Sequence, residues 1–382
     1  MKELKILLPT TRLDIGGAET HVLGLAKQLK RMGHYPIIIS SGGVYVEELK
    51  REGIPHHYAP LDDKRCTDLL ESFKIFGGII KEEKIDIIHT HGRIASLISK
   101  TASIVYKVPF MTTAHALFSH GGGLKYLTFW GDEVIAISED VKQHLMDKFG
   151  VGEEKITIIE NGIDTYAFNT YSNNMNLIEE LGLDRDSIKI LYISRLSGTL
   201  ADLAVRIIKS FPELSRKLDK VELLIVGDGD DYEQVRGVHR QIDPMKKSIK
   251  LLGKRTDIPE IMNSADVVVA VGRTALEAMA VKKPVILAGG EGYLGLLCPQ
   301  NYDLAKSTNF TGRNIGHLYT EERFINEVVR LFSVLSEEER ETLGEFGRKK
   351  VEEQFSIKRM TEKTVKIYEK LLRNWGHFNE DN

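Results

Sequence analysis

Short runs of apolar, mostly β-branched residues alternate with longer amphipathic segments along the first half of the chain. The amphipathic segment 18–32 places Val22, Leu25, Ala26 and Leu29 on one face and stops before Gly33, a pattern typical of a helix. The apolar runs do not alternate with polar residues, which indicates strands buried on both faces of a parallel sheet. These predicted strands cover residues 5–8, 36–40, 85–88, 110–113, 133–137 and 155–159.

A polar stretch over residues 166–175, rich in asparagine, then interrupts the alternation of predicted strands and helices and is typical of a linker. The alternation of strands and helices restarts after it, with predicted helices that include 201–214 and 258–264 and a final helical region over 321–375. The second set of predicted strands covers residues 189–193, 222–226, 249–252, 267–271 and 284–288. The repeated order predicts two doubly wound α/β domains of similar size.

Composition narrows the class of protein. The 382 residues suit two domains, and 42% hydrophobic with 28% charged residues excludes a disordered or fibrous chain. The 52 basic residues do not outnumber the 55 acidic ones, so we expect no nucleic-acid partner. Cys66 and Cys298 stand far apart, which argues against a disulfide framework or zinc site and favours a cytoplasmic location. Every apolar run is too short to span a membrane.

Gly16 and Gly17 lie between a predicted strand and a predicted helix. Glycine lets the backbone approach a ligand, and a helix N-terminus offers unpaired amides and a positive dipole end. The pair therefore suits a phosphate or a sugar, and the alternative is a plain tight turn. It is not a GxGxxG motif, so a dinucleotide fingerprint is not supported.

A second strand-to-helix turn follows the predicted strand 267–271, with Gly272 in the turn and a predicted helix start near Thr274. The amides of Thr274, Ala275 and Leu276 would form an anion site for a pyrophosphate. Glu277, about one turn into the helix, could accept hydrogen bonds from ribose hydroxyls. Alternatively, Glu277 only stabilises the helix N-terminus.

Three further residues follow predicted strands directly. Arg195 could neutralise a diphosphate, or it forms an ordinary surface ion pair. Gly227 opens a Gly-Asp-Gly turn that is as compatible with a plain turn as with a ligand site. His115 could contact a ligand or share a proton, or it is a packing residue. Ligands of open α/β sheets bind where strands end, so all three are candidate site residues.

Seven short motifs stand in a characteristic order along almost the whole chain. They are Gly-Gly-Ala-Glu-Thr at 16–20, His115, Ile-Ser at 137–138, Asn-Gly-Ile-Asp at 161–164, Ser-Arg-Leu at 194–196, Val-Gly-Asp-Gly at 226–229 and Leu-Glu-Ala-Met-Ala at 276–280. Each is weak alone, but their order and spacing resemble the glycosyltransferases of family 4, which have the GT-B fold.

The resemblance implies two facing Rossmann-like domains, with a C-terminal helix that crosses back to the first. The implied domains are an acceptor-side domain over 1–168 with the helix at about 357–376, and a nucleotide-sugar-binding domain over 169–356. The implied reaction is retaining transfer of a hexose from a UDP- or GDP-sugar to a saccharide or lipid-linked acceptor, without a metal or other cofactor. Such enzymes serve the synthesis of cell-surface polysaccharide or glycolipid.

Roles in that reaction carry over to matching positions of this chain. His115 would lie near the transferred sugar, Arg195 at the diphosphate and Glu277 at the ribose, as the catalytic set. The implied donor-binding residues are Gly16, Gly17, Gly227, Lys254, Arg255, Gly272, Arg273, Thr274, Ala275, Leu276 and Glu291.

Two departures from the family pattern concern the donor site. Family members carry a lysine a few residues after the arginine, whereas this chain continues from Arg195 as Leu-Ser-Gly-Thr-Leu. Lys254 and Arg255 are the predicted sources of the missing charge. The family also has a glutamate eight residues before the second one, and this chain has Val269 there. Glu291 is the predicted partial substitute.

Two other functions stay open at this point. The missing lysine is compatible with a catalytically silent nucleotide-sugar-binding partner of another transferase, and nucleotide-sugar epimerases share the architecture. The aromatic segment 121–130 and the basic final helix make peripheral contact with the inner face of a membrane an open alternative to plain packing. The sequence does not specify the sugar, the acceptor or the oligomeric state.

Overall fold

The computed structural model describes residues 2–62, 65–170, 175–245, 247–313 and 317–376. It divides into two compact units: unit 1 comprises Met1–Gly162 and Ile357–Asn382, and unit 2 comprises Ile163–Ser356. The division falls before the predicted one at 168/169, because Ile163 is buried in the core of unit 2 and its amide donates to the carbonyl of Phe355 at 2.7 Å. Of the predicted linker 166–175, residues 171–174 lie outside the described residues.

Unit 1 is built on a seven-stranded parallel sheet with the order β3-β2-β1-β4-β5-β6-β7. Its strands are β1 (Lys5–Pro9), β2 (Tyr35–Ser40), β3 (His56–Tyr58), β4 (Ile87–Thr90), β5 (Phe110–Ala114), β6 (Glu133–Ala136) and β7 (Ile156–Ile158). Its helices are α1 (Gly17–Arg31), α2 (Val46–Arg51), α3 (Cys66–Glu83), α4 (Arg93–Tyr106), α5 (Glu139–His144) and α14 (Ile357–Asn374), with short 3-10 or π turns at Leu124–Leu127, Leu145–Phe149 and Glu153–Lys155.

Both faces of this sheet are covered, which explains why strands such as β1 and β2 contain uninterrupted apolar runs. Successive residues of a strand point to opposite faces. Ile6 and Leu8 therefore pack into one core with α1 and α14, whereas Leu7 packs into the other with Phe76 of α3 and Ile98 of α4.

The last helix, α14, belongs to unit 1, as the fold class predicted. Its apolar residues Tyr368, Leu371 and Leu372 are buried in the same core as α1. The apolar face of this basic helix is thus taken up by packing.

Unit 2 contains a six-stranded sheet with the order β10-β9-β8-β11-β12-β13, in which only β13 runs antiparallel to its neighbour. Its strands are β8 (Ile188–Ile193), β9 (Val221–Val226), β10 (Ile249–Gly253), β11 (Val267–Ala270), β12 (Val285–Gly289) and β13 (Gly292–Leu296). Its helices are α6 (Met175–Glu180), α7 (Thr199–Lys217), α8 (Tyr232–Ile242), α9 (Ile258–Ser264), α10 (Gly272–Ala280), α11 (Tyr302–Ser307), α12 (Glu321–Ser333) and α13 (Glu337–Gln354).

Both sheets have a topological switch point. The strand order reverses between β1 and β4 in unit 1 and between β8 and β11 in unit 2. In open α/β sheets, the crevice beside the carboxyl ends of the strands at this point is where ligands bind. Each unit thus has a crevice at its switch point where a ligand is expected, and the positions of the candidate residues can be compared with it.

The surface of unit 1 carries one exposed aromatic in the predicted segment 121–130. Tyr126 is 80% exposed, whereas Trp130 packs edge-on against Phe118 and Phe149. Among the described residues, no helix is both long enough and apolar enough to cross a membrane.

Gly227 illustrates how tightly the strand ends of unit 2 are packed. Its φ is +145°, and a Cβ there would lie 1.9 Å from the carbonyl oxygen of Ser194. We therefore expect Gly227→Ala to lower the free energy of unfolding by at least about 1–3 kcal/mol, the cost of a rarely populated backbone conformation.

Calorimetry of the full chain would measure this change. The matched control is Gly237→Ala in α8, where a Cβ meets no atom within 4 Å. It should leave stability unchanged or raise it by about 0.5–1 kcal/mol, because alanine favours a helix interior. Equal transition temperatures for the two variants would contradict the packing argument.

Candidate active site

Three strand-end loops of unit 2 are joined into one rim by backbone hydrogen bonds. The amide of Gly227, after β9, donates to the carbonyl of Gly253 at the end of β10 at 2.9 Å. The amide of Ser194, after β8, donates to Val226 at 3.2 Å, and that of Leu196 donates to Asp228 at 3.0 Å. These bonds hold the loop that carries Arg195 against the Gly-Asp-Gly turn.

Arg195 is exposed on this rim and has no ion-pair partner in the described part of the chain. Lys254 is exposed as well. Arg255 differs, because its guanidinium donates to Asp257 at 2.8 and 2.6 Å and to Glu180 at 3.1 Å. These carboxylates, Asp257 foremost, raise the pKa of Arg255 and offset its charge. Arg195 and Lys254 are thus the predicted cations better placed to meet a diphosphate.

Helix α10 begins at Gly272, not near Thr274 as the sequence predicted. The φ of +58° at Gly272 lies in the left-handed region that favours glycine, so a glycine suits the turn from β11 into the helix. The Gly272 amide donates to the carbonyl of Phe310 at 3.0 Å. The first-turn amides that precede the helix's own hydrogen-bond ladder are therefore those of Arg273 and Thr274, whereas Ala275 and Leu276 lie in the hydrogen-bonded part of the helix.

Glu277 faces Arg273 one turn earlier on the same helix. The Nε of Arg273 donates to Oε1 of Glu277 at 2.8 Å, and the two side chains are only 9% and 10% exposed. Burial raises the pKa of Glu277, and the charge of Arg273 opposes that rise. The predicted ribose carboxylate and the predicted donor-site arginine are thus already paired with each other.

Glu291, between β12 and β13, is engaged by a cation that the sequence did not single out. Nε and Nη2 of Arg313 lie 2.9 and 2.7 Å from its Oε2. The neighbouring Gly290 lies against the start of α7, since a Cβ there would come within 1.9 Å of Oγ1 of Thr199. The hairpin that carries Glu291 is therefore part of the carboxyl edge of the sheet.

Gly16 and Gly17 begin α1, after β1, as predicted. Gly16 is the extended residue before the helix, and its carbonyl accepts hydrogen bonds from the amide and hydroxyl of Thr20. Around Gly17, a Cβ would meet nothing within 4 Å. The backbone at this helix start is thus open to an approaching group.

His115 lies at the end of β5 and belongs to a group of histidines at the switch point of unit 1. Its Nε2 lies 3.0 Å from Nδ1 of His91, which follows β4. His21, on α1, places its ring centroid 4.7 Å from that of His115. We call His21, His91 and His115 the histidine cluster.

His89 lies directly behind the histidine cluster and is fully buried. Its Nδ1 and Nε2 are each 2.7 Å from a hydroxyl oxygen, that of Tyr368 on α14 and that of Thr113 on β5. Burial, together with the nearby His21, holds the pKa of His89 well below its ordinary value. Burial and the three neighbouring histidines do the same for the pKa of His91.

These two lowered pKa values predict that acid destabilises unit 1. In the unfolded chain His89 and His91 bind protons below about pH 6.5, while in the folded chain they stay neutral to lower pH. The contribution of these two neutral histidines to the free energy of unfolding is therefore fully present above pH 6.5. It is lost as the pH falls towards their pKa in the folded chain. Between pH 7.5 and 5.5 we expect a loss of about 2–3 kcal/mol from the two groups.

Urea unfolding followed by tryptophan fluorescence measures this loss selectively, because Trp130 and Trp375 both lie in unit 1. His89→Gln should flatten the pH profile, because it removes one of the two histidines with a strongly lowered pKa. A wild-type slope in His89→Gln would assign the acid sensitivity to other groups.

Sequence reasoning singled out His115 but missed His21, His89 and His91. A signal was present, since His-Thr-His stands at 89–91 where a buried parallel strand ends. The pairing of Arg255 with Glu180 and that of Glu291 with Arg313 carried no comparable signal. The members of these pairs lie 75 and 22 residues apart in the sequence, so only the folded chain brings them together.

Two family models match the chain. The model described as Glycosyltransferase Family 4 matches residues 15–166, and the model described as Glycosyl transferases group 1 matches residues 187–308. Together with the two Rossmann-like sheets, these matches define a glycosyltransferase. The chain belongs to family 4 of the glycosyltransferases and has the GT-B fold.

Individual relatives agree with this family. The UDP-Gal:α-D-GlcNAc-diphosphoundecaprenol α-1,3-galactosyltransferase of Escherichia coli is 25% identical over 330 residues, which are 81% of each chain. A glycosyltransferase structure from Rickettsia africae superposes with a TM-score of 0.78 at 25% identity, covering 98% of this chain and 100% of the other. The structure of HepE from Anabaena in complex with UDP-glucose superposes with a TM-score of 0.75 at 20% identity, covering 96% of this chain and 100% of the other.

Proposed function

We propose that this glycosyltransferase moves a hexose from a UDP- or GDP-sugar to a saccharide or lipid-linked acceptor, with retention of configuration and without a metal ion. The observation that carries the proposal is the switch point of unit 2. There Arg195, the first turn of α10 and Glu277 follow or flank neighbouring strands β8 and β11. A cation, the amides of a helix start and a carboxylate are what a diphosphate and a ribose require.

Each group would act on a different part of the donor. Arg195 and the positive end of α10 would stabilise the negative charge that develops on the departing diphosphate. The amides of Arg273 and Thr274 would donate to its oxygens. Glu277 would accept hydrogen bonds from the ribose. Because fixed positive groups meet the leaving group, the transfer would not need a divalent cation.

UDP is the favoured nucleotide of the donor, since the Escherichia coli relative is named for UDP-Gal and HepE is described with UDP-glucose. The same relative is named for a diphosphoundecaprenol-linked acceptor, which supports a lipid-linked acceptor here. We therefore place the reaction in the synthesis of cell-surface polysaccharide or glycolipid.

A panel of UDP- and GDP-sugars tests this proposal. A ligand that binds only the folded chain raises its thermal stability, so a thermal-shift screen identifies the donor. Release of nucleoside diphosphate in the presence of saccharide or lipid-linked acceptors, unchanged by EDTA, would support a metal-independent transferase. Donor binding without turnover would instead indicate a silent binding partner, and conversion of the sugar on its nucleotide would indicate an epimerase.

A further inference from the structure

We propose that the histidine cluster of unit 1 binds one divalent transition-metal ion of the zinc class through His21, His91 and His115. One ring nitrogen from each of the three residues lies within 4.8 Å of the others. The three residues come from α1, the end of β4 and the end of β5, so the fold itself brings them together.

The spacing of the rings suits such an ion. With zinc–nitrogen bonds of about 2.0–2.1 Å, tetrahedral ligand nitrogens lie about 3.4 Å apart and imidazole centroids about 5 Å apart. The three centroid distances in the cluster are 5.6, 4.7 and 5.3 Å. All three distances are therefore within about 1 Å of the value expected for a zinc site.

Contacts around the cluster orient the rings for coordination. Nδ1 of His21 lies 3.1 Å from Oδ1 of the buried Asn161, which can only accept, so Nδ1 carries the proton and Nε2 presents a lone pair. A metal-bound histidine almost always donates its other N–H in this way. Nε2 of His91 is buried without a hydrogen-bond partner in the described part of the chain, which leaves this ring incompletely satisfied.

The donor set determines the kind of ion. Three neutral imidazoles favour zinc, cobalt, nickel or copper, whereas magnesium and calcium prefer oxygen ligands. His21 and His91 are buried, while His115 is partly exposed and provides the route of entry. Three protein ligands leave a fourth position for water or another ligand.

An ion at this place would act as an inhibitor of the transferase. This consequence rests on the proposed function, in which His115 lies near the transferred sugar. A ring nitrogen of His115 that coordinates a metal cannot contact the sugar. Binding of the ion does not depend on that role of His115, so the metal site and the proposed function can be refuted independently.

Cobalt(II) is the probe, because a four- or five-coordinate cobalt centre absorbs strongly in the visible range. We expect one cobalt ion per chain, displaced by zinc with loss of the absorption and unaffected by excess magnesium. His91→Asn and His115→Gln should each weaken cobalt binding at least 10-fold. Asn161→Ala should weaken it by about 10- to 100-fold, as loss of an orienting partner does elsewhere.

Two controls make the outcome decisive. His57→Gln removes a histidine outside the cluster and should keep wild-type cobalt affinity. Circular dichroism must show that each cluster variant is folded, and His115→Gln, at the partly exposed position, is the variant least expected to disturb packing. Cobalt affinity that is unchanged in His115→Gln and Asn161→Ala, or lost equally in His57→Gln, would overturn the proposal.

The inhibitory consequence has its own measurement. Zinc added to the active enzyme should lower turnover in proportion to occupancy of the cobalt site, and EDTA should restore it. Full turnover while zinc occupies the site would contradict the inhibitory role, but it would not contradict metal binding by the histidine cluster. Absence of any transferase activity would count against the proposed function and not against the metal site.

Discussion

Replacement of Arg195 by alanine should lower the turnover of sugar transfer by about 10- to 1000-fold, as removal of a group that stabilises developing charge does in other enzymes. The negative charge on the diphosphate grows as the glycosidic bond breaks. Arg195 lies at the end of β8, beside the switch point, and is exposed. Its charge is therefore available when the transition state forms.

The effect should be large in this chain because the other cations do not replace Arg195. The lysine that family members carry shortly after this arginine is absent. Arg255 is held by Asp257 and Glu180, and Arg273 by Glu277. Lys254 is exposed, but a lysine side chain is a flexible point charge without the fork that binds two phosphate oxygens at once.

Matched variants separate the contributions of the three cations. Lys254→Ala and Arg255→Ala should each lower turnover less than Arg195→Ala does. Arg195→Lys keeps the charge without the planar fork, so its turnover should lie between wild type and alanine. If Arg195→Ala retains wild-type turnover while Lys254→Ala loses it, the leaving-group site lies at Lys254.

The α/β architecture was predictable because buried parallel strands leave an unmistakable pattern. Runs such as 223–226 and 267–271 are apolar throughout, since helices cover both faces of the sheet. Most predicted strands agree with the observed ones within one residue at each end. The first-domain strand predicted over 85–88 is displaced by two residues to Ile87–Thr90, because the Ile85 amide still donates to the carbonyl of Ile80 near the end of α3.

Two strands escaped prediction for different reasons. His56–Tyr58 is a three-residue edge strand with two histidines, so it carries no apolar run. Gly292–Leu296 contains two glycines, which ordinarily weaken a strand. Its first glycine is required by a close approach, since a Cβ at Gly292 would lie 1.9 Å from the carbonyl oxygen of Gly312.

The candidate site was predictable in position but not in its interactions. Strand-end residues such as Arg195 and His115 can be located from sequence, because strand ends converge at one edge of a parallel sheet. Ion pairs between distant segments, such as Arg255 with Glu180, depend on how helices pack and have no local signature. The histidine cluster falls between these cases. His91 and His115 directly follow strands and His21 lies on the helix after β1, but only the strand order makes the three residues neighbours.

Replacement of Glu277 by alanine should have two measurable consequences. It removes the carboxylate facing the nearly buried guanidinium of Arg273, so the stability of unit 2 should fall by about 3–5 kcal/mol, the usual cost of breaking a buried ion pair. It should also weaken donor binding by about 1–3 kcal/mol, because polar groups of the donor lose their partner. The first effect would occur in any buried pair, so it cannot by itself establish a ribose contact.

A double variant separates stability from recognition. Arg273→Met with Glu277→Leu replaces both charges by apolar groups of similar size, an exchange that is often neutral or stabilising for a buried pair. We expect calorimetry to show that the double variant regains most of the lost stability. Titration with the UDP- or GDP-sugar should show that its donor affinity stays low, because no carboxylate is left for the ribose. Wild-type donor affinity in the double variant would mean that Glu277 serves only to hold Arg273, and the ribose would then have to be bound elsewhere.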